Sequence, residues 1–243
     1  MTSTNYASIA EQNITRYGTA IDEYGPLLLS DRYSDRTHFV YELLQNAEDA
    51  IAWRAAIEGG FPRDVVFKLG RNALSFRHWG LPFSEEYGRG RCNMGKGTKS
   101  KELTAIGKHG IGFKSVYAYT HHPEIHSGDE HFVIDSYVRP KSIEAKPVAD
   151  DETFFEFPFD HPDMTAERAY EEIRQRLYVL GLKTLLFLRK IGSSSWETEC
   201  GQHGQYLRDS EPIADGIERV TLLGRESSKI GPDEERWLVF RKE

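Results

Sequence analysis

Three polar side chains share one face of an apolar helix early in the chain. The segment FVYELLQNAEDAIAW places Glu42, Asn46 and Asp49 at i, i+4 and i+7, so they point in similar directions. A neutral amide oxygen suits a magnesium ion that keeps most of its waters. A carboxylate one turn earlier can orient a water and take its proton during attack on a γ-phosphate. By themselves, three polar residues on one face are more typical of a solvated stripe.

A second candidate for phosphate chemistry is a glycine-rich turn. IGKHGIGFKSVY spaces Gly107, Gly110 and Gly112 as G-x-x-G-x-G, and a predicted helix begins at Lys114. Glycines let backbone N–H groups approach phosphate oxygens, and a helix N-terminus favours anions. A structural turn remains an alternative. A Rossmann fingerprint is disfavoured because no strong strand precedes the turn, and the P-loop-like GRCNMGKG lacks the required Ser or Thr.

The segment SFRHWGLPFSEE offers a site for a flat ring. His78 ends a predicted strand and points inward by alternation, where it could hydrogen-bond an adenine edge. Gly80 permits close backbone approach. The alternative is a buried structural histidine at a strand end.

The elements that must position these residues follow from periodicity and breakers. Amphipathic patterns predict helices over Tyr6–Tyr24, Thr37–Glu58 and Thr165–Leu180. Alternation and apolar runs predict strands over DVVFKL, ALSFRH, His131–Val138, Thr153–Phe157 and KTLLFLRKI, with a late hairpin of VTLLG and RWLVFRK. The stretch from Gly88 to Gly97 is predicted to be a mobile loop. THHPEIHSGDEH is predicted to be a surface loop rather than a zinc site.

Composition bounds the class of protein. The chain has 243 residues, a net charge of −7 and two distant cysteines. A disulfide framework and a cysteine zinc site are therefore disfavoured, and nucleic acid is an unlikely partner for an acidic domain. No signal peptide or membrane span is visible, so we expect a soluble cytoplasmic protein that makes no membrane contact.

In order and spacing, these motifs resemble the Bergerat (GHKL) ATPase family, and most closely its chaperone-like, sacsin-like and no-vein-like branch. ELLQNAEDA resembles the N-box, HWGLPFSEE the adenine-side motif, and GKGTKS the nucleotide lid. IGKHGIGFKSVY resembles the phosphate box, and TFFEFPF the strand whose threonine lies near adenine. The resemblance implies a two-layer α/β sandwich, with helices on one face of a mixed, largely antiparallel sheet.

The resemblance also implies roles for individual residues. Glu42 would be the general base, and Asn46 would bind Mg²⁺. The remaining nucleotide contacts would come from Asp49, Ala50, His78, Gly80, Thr98, Lys99, Gly107, Gly110, Ile111, Gly112, Phe113, Lys114 and Thr153. His78 departs from the wider family, which has an acceptor-only aspartate here. Neutral histidine has one acceptor and one donor nitrogen, so Asp49 would share the adenine contact.

The resemblance therefore implies a magnesium-dependent module that binds and slowly hydrolyses ATP. Lid closure would change dimerisation through the N-terminal region or the posture of downstream domains, and the family analogy extends to phage defence and chaperoning. We expect one domain over 1–243, with a core over 31–192 and a C-terminal extension over 193–243, in the N-terminal part of a longer protein. The alternative function is a non-catalytic nucleotide sensor or interaction module.

Overall fold

The computed structural model describes residues 4–17, 35–82, 114–135, 137, 139–149 and 151–241. Its α-helices are α1 (Tyr6–Tyr17), α2 (Phe39–Ala55), α3 (Ala166–Val179) and the short α4 (Thr184–Phe187). One 3₁₀ turn, Arg36–His38, leads into α2, and another covers Lys114–Ala118. The strands are β1 (Asp64–Leu69), β2 (Ala73–His78), β3 (Glu124–Ser127), β4 (Glu130–Asp135), β5 (Arg139–Ser142), β6 (Thr153–Pro158), β7 (Ser193–Thr198), β8 (His203–Ala214), β9 (Ile217–Glu226) and β10 (Asp233–Phe240).

The ten strands form one sheet in the order β10-β9-β8-β7-β1-β2-β6-β3-β4-β5. Within the described residues, β1 and β7 are the parallel pair, and the other neighbours are antiparallel. The fold is therefore mixed α/β with a mostly antiparallel sheet. The parallel pair joins the two halves of the sheet across more than one hundred residues of sequence.

Helices cover one face of the sheet. Phe39 of α2 packs against Phe157 of β6 with ring centroids 6.0 Å apart. Tyr178 of α3 contacts Trp196 of β7 at 6.1 Å. Tyr6 of α1 stacks on Phe132 of β4 at 4.9 Å. These contacts place each helix against alternate strand residues on one face of the sheet, as the helical and strand periods require.

Side chains fix the 3₁₀ turn that leads into α2. The Asp35 carboxylate caps the 3₁₀ turn by accepting from the Thr37 N–H at 2.9 Å and from its hydroxyl at 2.6 Å. Arg176 of α3 donates to the Thr37 hydroxyl at 2.5 Å and also pairs with Asp35. The capping carboxylate therefore ties α3 to the turn before α2 as well as satisfying the Thr37 N–H.

Several predicted elements are confirmed. The strands DVVFKL and ALSFRH coincide with β1 and β2, and the late hairpin is the antiparallel pair β9–β10. The α2 helix falls within the predicted Thr37–Glu58, and α3 lies one residue inside the predicted Thr165–Leu180 at each end. The first helix is described from Tyr6 to Tyr17, and the rest of its predicted span lies outside the described residues.

The prediction of a buried strand over KTLLFLRKI was wrong. Residues Thr184–Phe187 form α4 instead. Leu182, Leu185, Leu188 and Ile191 are buried at a spacing of three, whereas Phe187 is 82% exposed. The apolar run therefore packs its buried leucines against the core as a short helix and does not form a strand of the sheet.

The histidine-rich segment THHPEIHSGDEH is a hairpin rather than a loop. Ser127 of β3 pairs with Glu130 of β4 around a two-residue turn. Gly128 in that turn has φ +57, a conformation that glycine adopts without strain. The hairpin divides the histidines between two different sets of contacts. His126 and His131 approach each other at 3.0 Å between Nδ1 atoms, while His122 bonds Asp160 at 2.6 Å.

No helix among the described residues is both long and apolar enough to cross a membrane.

Candidate functional site

The α2 helix presents the predicted catalytic and magnesium-binding residues on its less buried side. The Glu42 side chain is 23% exposed, and its Oε1 lies 3.2 Å from His38 Nε2 one turn earlier. Asn46 is half-buried and Asp49 is exposed. Across the described residues, the Asn46 side chain makes no hydrogen bond, so its amide oxygen is available to a ligand. Glu42 is held in position by His38, whereas Asn46 is not.

A row of polar side chains crosses the helix-facing side of the sheet. His78 of β2 pairs with Thr153 of β6, which pairs with Ser127 of β3. All three are buried, and the Thr153 and Ser127 hydroxyls lie 2.6 Å apart. In a sheet, cross-strand neighbours point to the same face. The structure therefore brings two of the predicted adenine-side residues together and adds Ser127, which the sequence interpretation missed.

His78 is a neutral hydrogen-bond donor in this row. Burial lowers the pKa of His78 to about 3, so the ring is uncharged at neutral pH. The Gly80 N–H donates to His78 Nδ1 at 3.1 Å, which assigns the ring proton to Nε2. The acceptor nitrogen is therefore occupied by the protein backbone. His78 can offer a ligand a donor, the opposite polarity to the aspartate of the wider family.

Only glycine fits at position 80, because α2 packs directly against its backbone. A Cβ built on Gly80 would lie 2.5 Å from Ala50 Cβ and 2.8 Å from the Ile51 nitrogen. The Leu81 N–H also donates to the Ala50 carbonyl at 2.9 Å. Ala50 and Gly80, both predicted to line the nucleotide pocket, therefore contact each other and dock the end of β2 on α2. The predicted approach of Gly80 to adenine stays a prediction.

Arg54 fastens this junction from the other side. Its guanidinium donates to the Trp79 carbonyl at 3.0 Å and to Asp151 at 2.9 Å, and it stacks over Phe61 at 4.6 Å. Asp151 lies two residues before Thr153, so Arg54 links α2, the end of β2 and the start of β6. The sequence carried a signal for it, because Arg54 falls at the core-facing spacing set by Ala47 and Ile51.

Much of the predicted phosphate side lies outside the described residues: Thr98, Lys99, Gly107, Gly110, Ile111, Gly112 and Phe113. Lys114 begins the 3₁₀ turn Lys114–Ala118 where a helix was predicted. Val116 and Tyr117 in that turn are buried in the core. No hydrogen bond between described residues joins Glu42, Asn46 or Asp49 to His78 or Thr153.

A cavity of about 520 Å³ opens at the start of α2 rather than at Asn46. Asp35, Arg36 and Thr37 line it from the helix start, and Glu172 and Arg176 line it from α3. None of the predicted nucleotide residues lines it. Asp35, Thr37 and Arg176 in its walls bond one another in the capping network described above, and Glu172 accepts a hydrogen bond from Tyr119.

Comparison with family models finds one partial match. Residues 80–154 match the Sacsin domain. This segment runs from the end of β2 to the start of β6 and includes Gly80, Thr153 and the predicted lid and glycine-rich turn. Over this part, the chain is similar to a Sacsin domain.

Two curated proteins are similar to the chain. Protein NO VEIN of Arabidopsis thaliana is 33% identical over 132 residues, which cover 53% of this chain and 4% of that protein. Sacsin of Homo sapiens is 37% identical over 106 residues, which cover 40% of this chain and 2% of that protein. The chain thus spans a very small part of the relatives that it matches.

A solved structure, the N-terminal domain of a DNA repair protein, aligns with 82% of this chain and 70% of its own at 10% identity. Its TM-score is 0.46, which is too low to assign a shared topology.

Proposed function

We propose that this chain is a magnesium-dependent module that binds ATP and hydrolyses it slowly, within a sacsin-like protein. The observation that supports this most directly is the arrangement on α2. Glu42 is half-buried and held by His38, while Asn46 one turn later keeps a free amide oxygen among the described residues. A general base must be oriented, and a magnesium ligand must be available.

The residues of α2 divide the chemistry between them. Asn46 would hold a hydrated magnesium ion through its side-chain oxygen, and the ion would neutralise charge on the phosphates. Glu42 would orient the attacking water and accept its proton. His38 positions the Glu42 carboxylate from one turn earlier. Asp49, exposed on the same face, would add an acceptor for the adenine amino group.

The row across the sheet would receive the adenine edge. His78 would donate from Nε2 to a ring nitrogen acceptor, because its Nδ1 is taken by Gly80. The Thr153 hydroxyl, paired with Ser127, would contact the base directly or through water. Selectivity for adenine over guanine would then depend on where the His78 Nε2 donor lies in this buried site. A base that leaves a buried polar group without a partner would lose about 1–3 kcal/mol of binding free energy.

Closure of the segment containing Thr98, Lys99 and the glycine-rich turn would cover the phosphates. This closure would pass the nucleotide state to a partner copy or to downstream domains. In this proposal the output of the module is a change in conformation, and hydrolysis of ATP returns the module to its starting conformation.

The test is isothermal titration of the purified chain with ATP, ADP and GTP, with and without magnesium, alongside phosphate release. We expect adenine-selective binding that magnesium strengthens. Asn46→Ala should weaken the magnesium-dependent part at least tenfold, because it removes the ligand oxygen. Gln45→Ala, an exposed neighbour on the same helix, is the matched control and should bind as the unaltered chain does.

Glu42→Gln separates hydrolysis from binding. We expect turnover to fall by about 10²–10⁴, the usual contribution of a general base, with ATP affinity nearly unchanged. Exposed Glu167→Gln on α3 is the charge-matched control and should keep full turnover. Retained turnover in Glu42→Gln would remove Glu42 from the mechanism. Nucleotide binding without any turnover in the unaltered chain would favour the sensor function.

A further inference from the structure

A second cavity, which none of the predicted nucleotide residues lines, is lined by positive charge. It has a volume of about 330 Å³, within the range of small-ligand sites. Five cationic side chains line it: Arg63, Arg189, Lys190, Arg208 and Arg241. Glu218 is the carboxylate among its lining residues. Such a concentration of positive charge is unexpected in a chain of net charge −7.

Arg208 forms the floor of this basic cavity. Its side chain is 4% exposed, and it donates to Ser210 at 2.8 Å and to Glu218 at 3.0 Å. Its Nε is buried and has no hydrogen-bond partner. A buried donor without a partner costs free energy, and an anion in the cavity could satisfy it.

Glu218 does not neutralise the cavity. Arg208 and Arg241 share its carboxylate, with Arg241 at 2.6 Å from Oε2. Burial acts to raise the pKa of Glu218, but the hydrogen bond from Arg241 and the nearby guanidinium charges outweigh it, so the pKa is lowered. The carboxylate therefore stays ionised and is already engaged by two arginines.

The other three cations form no salt bridge with a described residue, although the charge of Arg189 acts on Glu218 from a longer distance. Arg63, Arg189 and Lys190 are exposed. Arg189 and Lys190 are adjacent in the chain, and Arg63 comes from a distant segment. Like charges brought together repel one another, so the arrangement is unfavourable unless an anion joins it. The cavity has a surplus of positive charge that the described protein groups do not compensate.

Hydrogen bonds fix the backbone from which these side chains extend. The Gly192 N–H donates to the Arg63 carbonyl at 2.7 Å, and the Arg208 N–H donates to the Gly192 carbonyl at 2.8 Å. The Glu48 carboxylate of α2 accepts the N–H groups of Arg189 and Lys190 at 2.7–2.8 Å. A cavity with walls fixed in this way loses little entropy when a ligand binds.

We propose that this basic cavity binds a small polyphosphate, meaning a compact molecule with two or more phosphate groups and no nucleobase. Guanidinium groups match phosphate oxygens in paired hydrogen bonds, and a lysine adds a point charge. None of the lining residues is aromatic, so the cavity has no platform on which a base would stack. This inference does not depend on the proposed ATPase function.

The test is titration of the whole chain with inorganic tripolyphosphate at low salt. We expect one-to-one binding that weakens as salt rises. The double variant Arg189→Ala/Lys190→Ala should bind about tenfold to a hundredfold more weakly, since each lost charged hydrogen bond is worth about tenfold or more. Arg63→Ala reaches the cavity from another segment and should weaken binding independently. All three residues are exposed, so folding should be preserved, and an unchanged melting temperature checks this.

The matched control is Arg71→Ala/Arg168→Ala, which removes two exposed cations from elsewhere and should leave the affinity unchanged. Equal affinity in Arg189→Ala/Lys190→Ala and the unaltered chain would overturn the proposal. Equal binding of citrate, or tighter binding of a single-stranded oligonucleotide through the same arginines, would overturn the assignment to small polyphosphates.

Discussion

At the scale of single residues, the hydrogen-bond state of His78 decides what the candidate site can recognise. The ring is neutral because burial lowers its pKa to about 3. Its Nδ1 accepts from Gly80, which leaves Nε2 as the donor. A sequence motif identifies the histidine, but only the turn that follows it determines which nitrogen faces a ligand.

His78 should also make stability depend on pH. Its folded pKa lies below the unfolded value of about 6.5, so the unfolded chain binds a proton that the native chain does not. The free energy of unfolding should therefore be greatest above pH 6.5 and fall as pH decreases towards 3. Between pH 6.5 and pH 5 we expect a loss on the order of 2 kcal/mol from this residue.

The measurement is urea unfolding of the unaltered chain and of His78→Asn at pH 7.5 and pH 5. Asparagine can still accept from the Gly80 N–H but does not titrate. The pH 5 penalty should thus be smaller in the variant by about the same amount. An identical pH dependence in the two proteins would show that His78 takes up no proton on unfolding.

At the scale of elements, α2 is the helix to which the other parts of the fold attach. Gly80 docks the end of β2 on it, and Arg54 reaches Asp151 beside β6. On another side, Glu48 accepts backbone N–H groups from residues 189–191. The helix that carries Glu42 and Asn46 is therefore also bonded to the wall of the basic cavity.

Glu48 explains why the residues after α4 are not a strand. The N–H groups of Arg189, Lys190 and Ile191 bond its carboxylate at 2.7–2.9 Å instead of a neighbouring strand. We expect Glu48→Ala to lower the free energy of unfolding by about 1–2 kcal/mol, because hydrogen bonds to a charged group are lost at a partly exposed site. Glu48→Gln should lose less, since it keeps one acceptor oxygen.

Chemical unfolding measures this effect, with Gln45→Ala as the control on the same helix. A loss in Glu48→Ala no larger than in the control would mean that water replaces the carboxylate without cost. The double variant Arg189→Ala/Lys190→Ala keeps the backbone N–H groups and should not mimic Glu48→Ala.

At the scale of the whole molecule, the predicted C-terminal extension is continuous with the rest of the sheet. The strand β7 begins at Ser193 and lies between β1 and β8. Trp196, Tyr206, Val220 and Leu222 from this region are almost fully buried. Burial of each such side chain contributes on the order of 2 kcal/mol, so together they match the net stability of a typical domain, about 5–15 kcal/mol.

A chain ending at Gly192 should therefore fail to unfold cooperatively, because β1 would become an edge and the α3 contacts to Trp196 would be lost. Circular dichroism during urea titration tests this. A chain ending at Gly231 is the control. It loses only β10, which pairs with β9 at the sheet edge, and should stay folded with reduced stability. A cooperative transition in the chain ending at Gly192 would show that the first 192 residues are a separate domain.

The sequence by itself determined the features that depend on near neighbours. Helical spacing placed Glu42, Asn46 and Asp49 on one face of α2, and alternation located β1 and β2 with their buried His78. These patterns are local, because the periods of 3.6 and 2 are properties of short segments. The run KTLLFLRKI was wrongly predicted to be a strand for the same reason. A short apolar segment does not determine which groups will hydrogen-bond its backbone.

Only the tertiary structure decided what distant segments do to one another. It pairs β1 with β7, and it joins Arg176 of α3 to the capping Asp35. It also gathers the arginines of the basic cavity from four separate parts of the chain. Contacts of this kind depend on register, burial and side-chain geometry across more than a hundred residues, and no spacing within a single sequence encodes them directly.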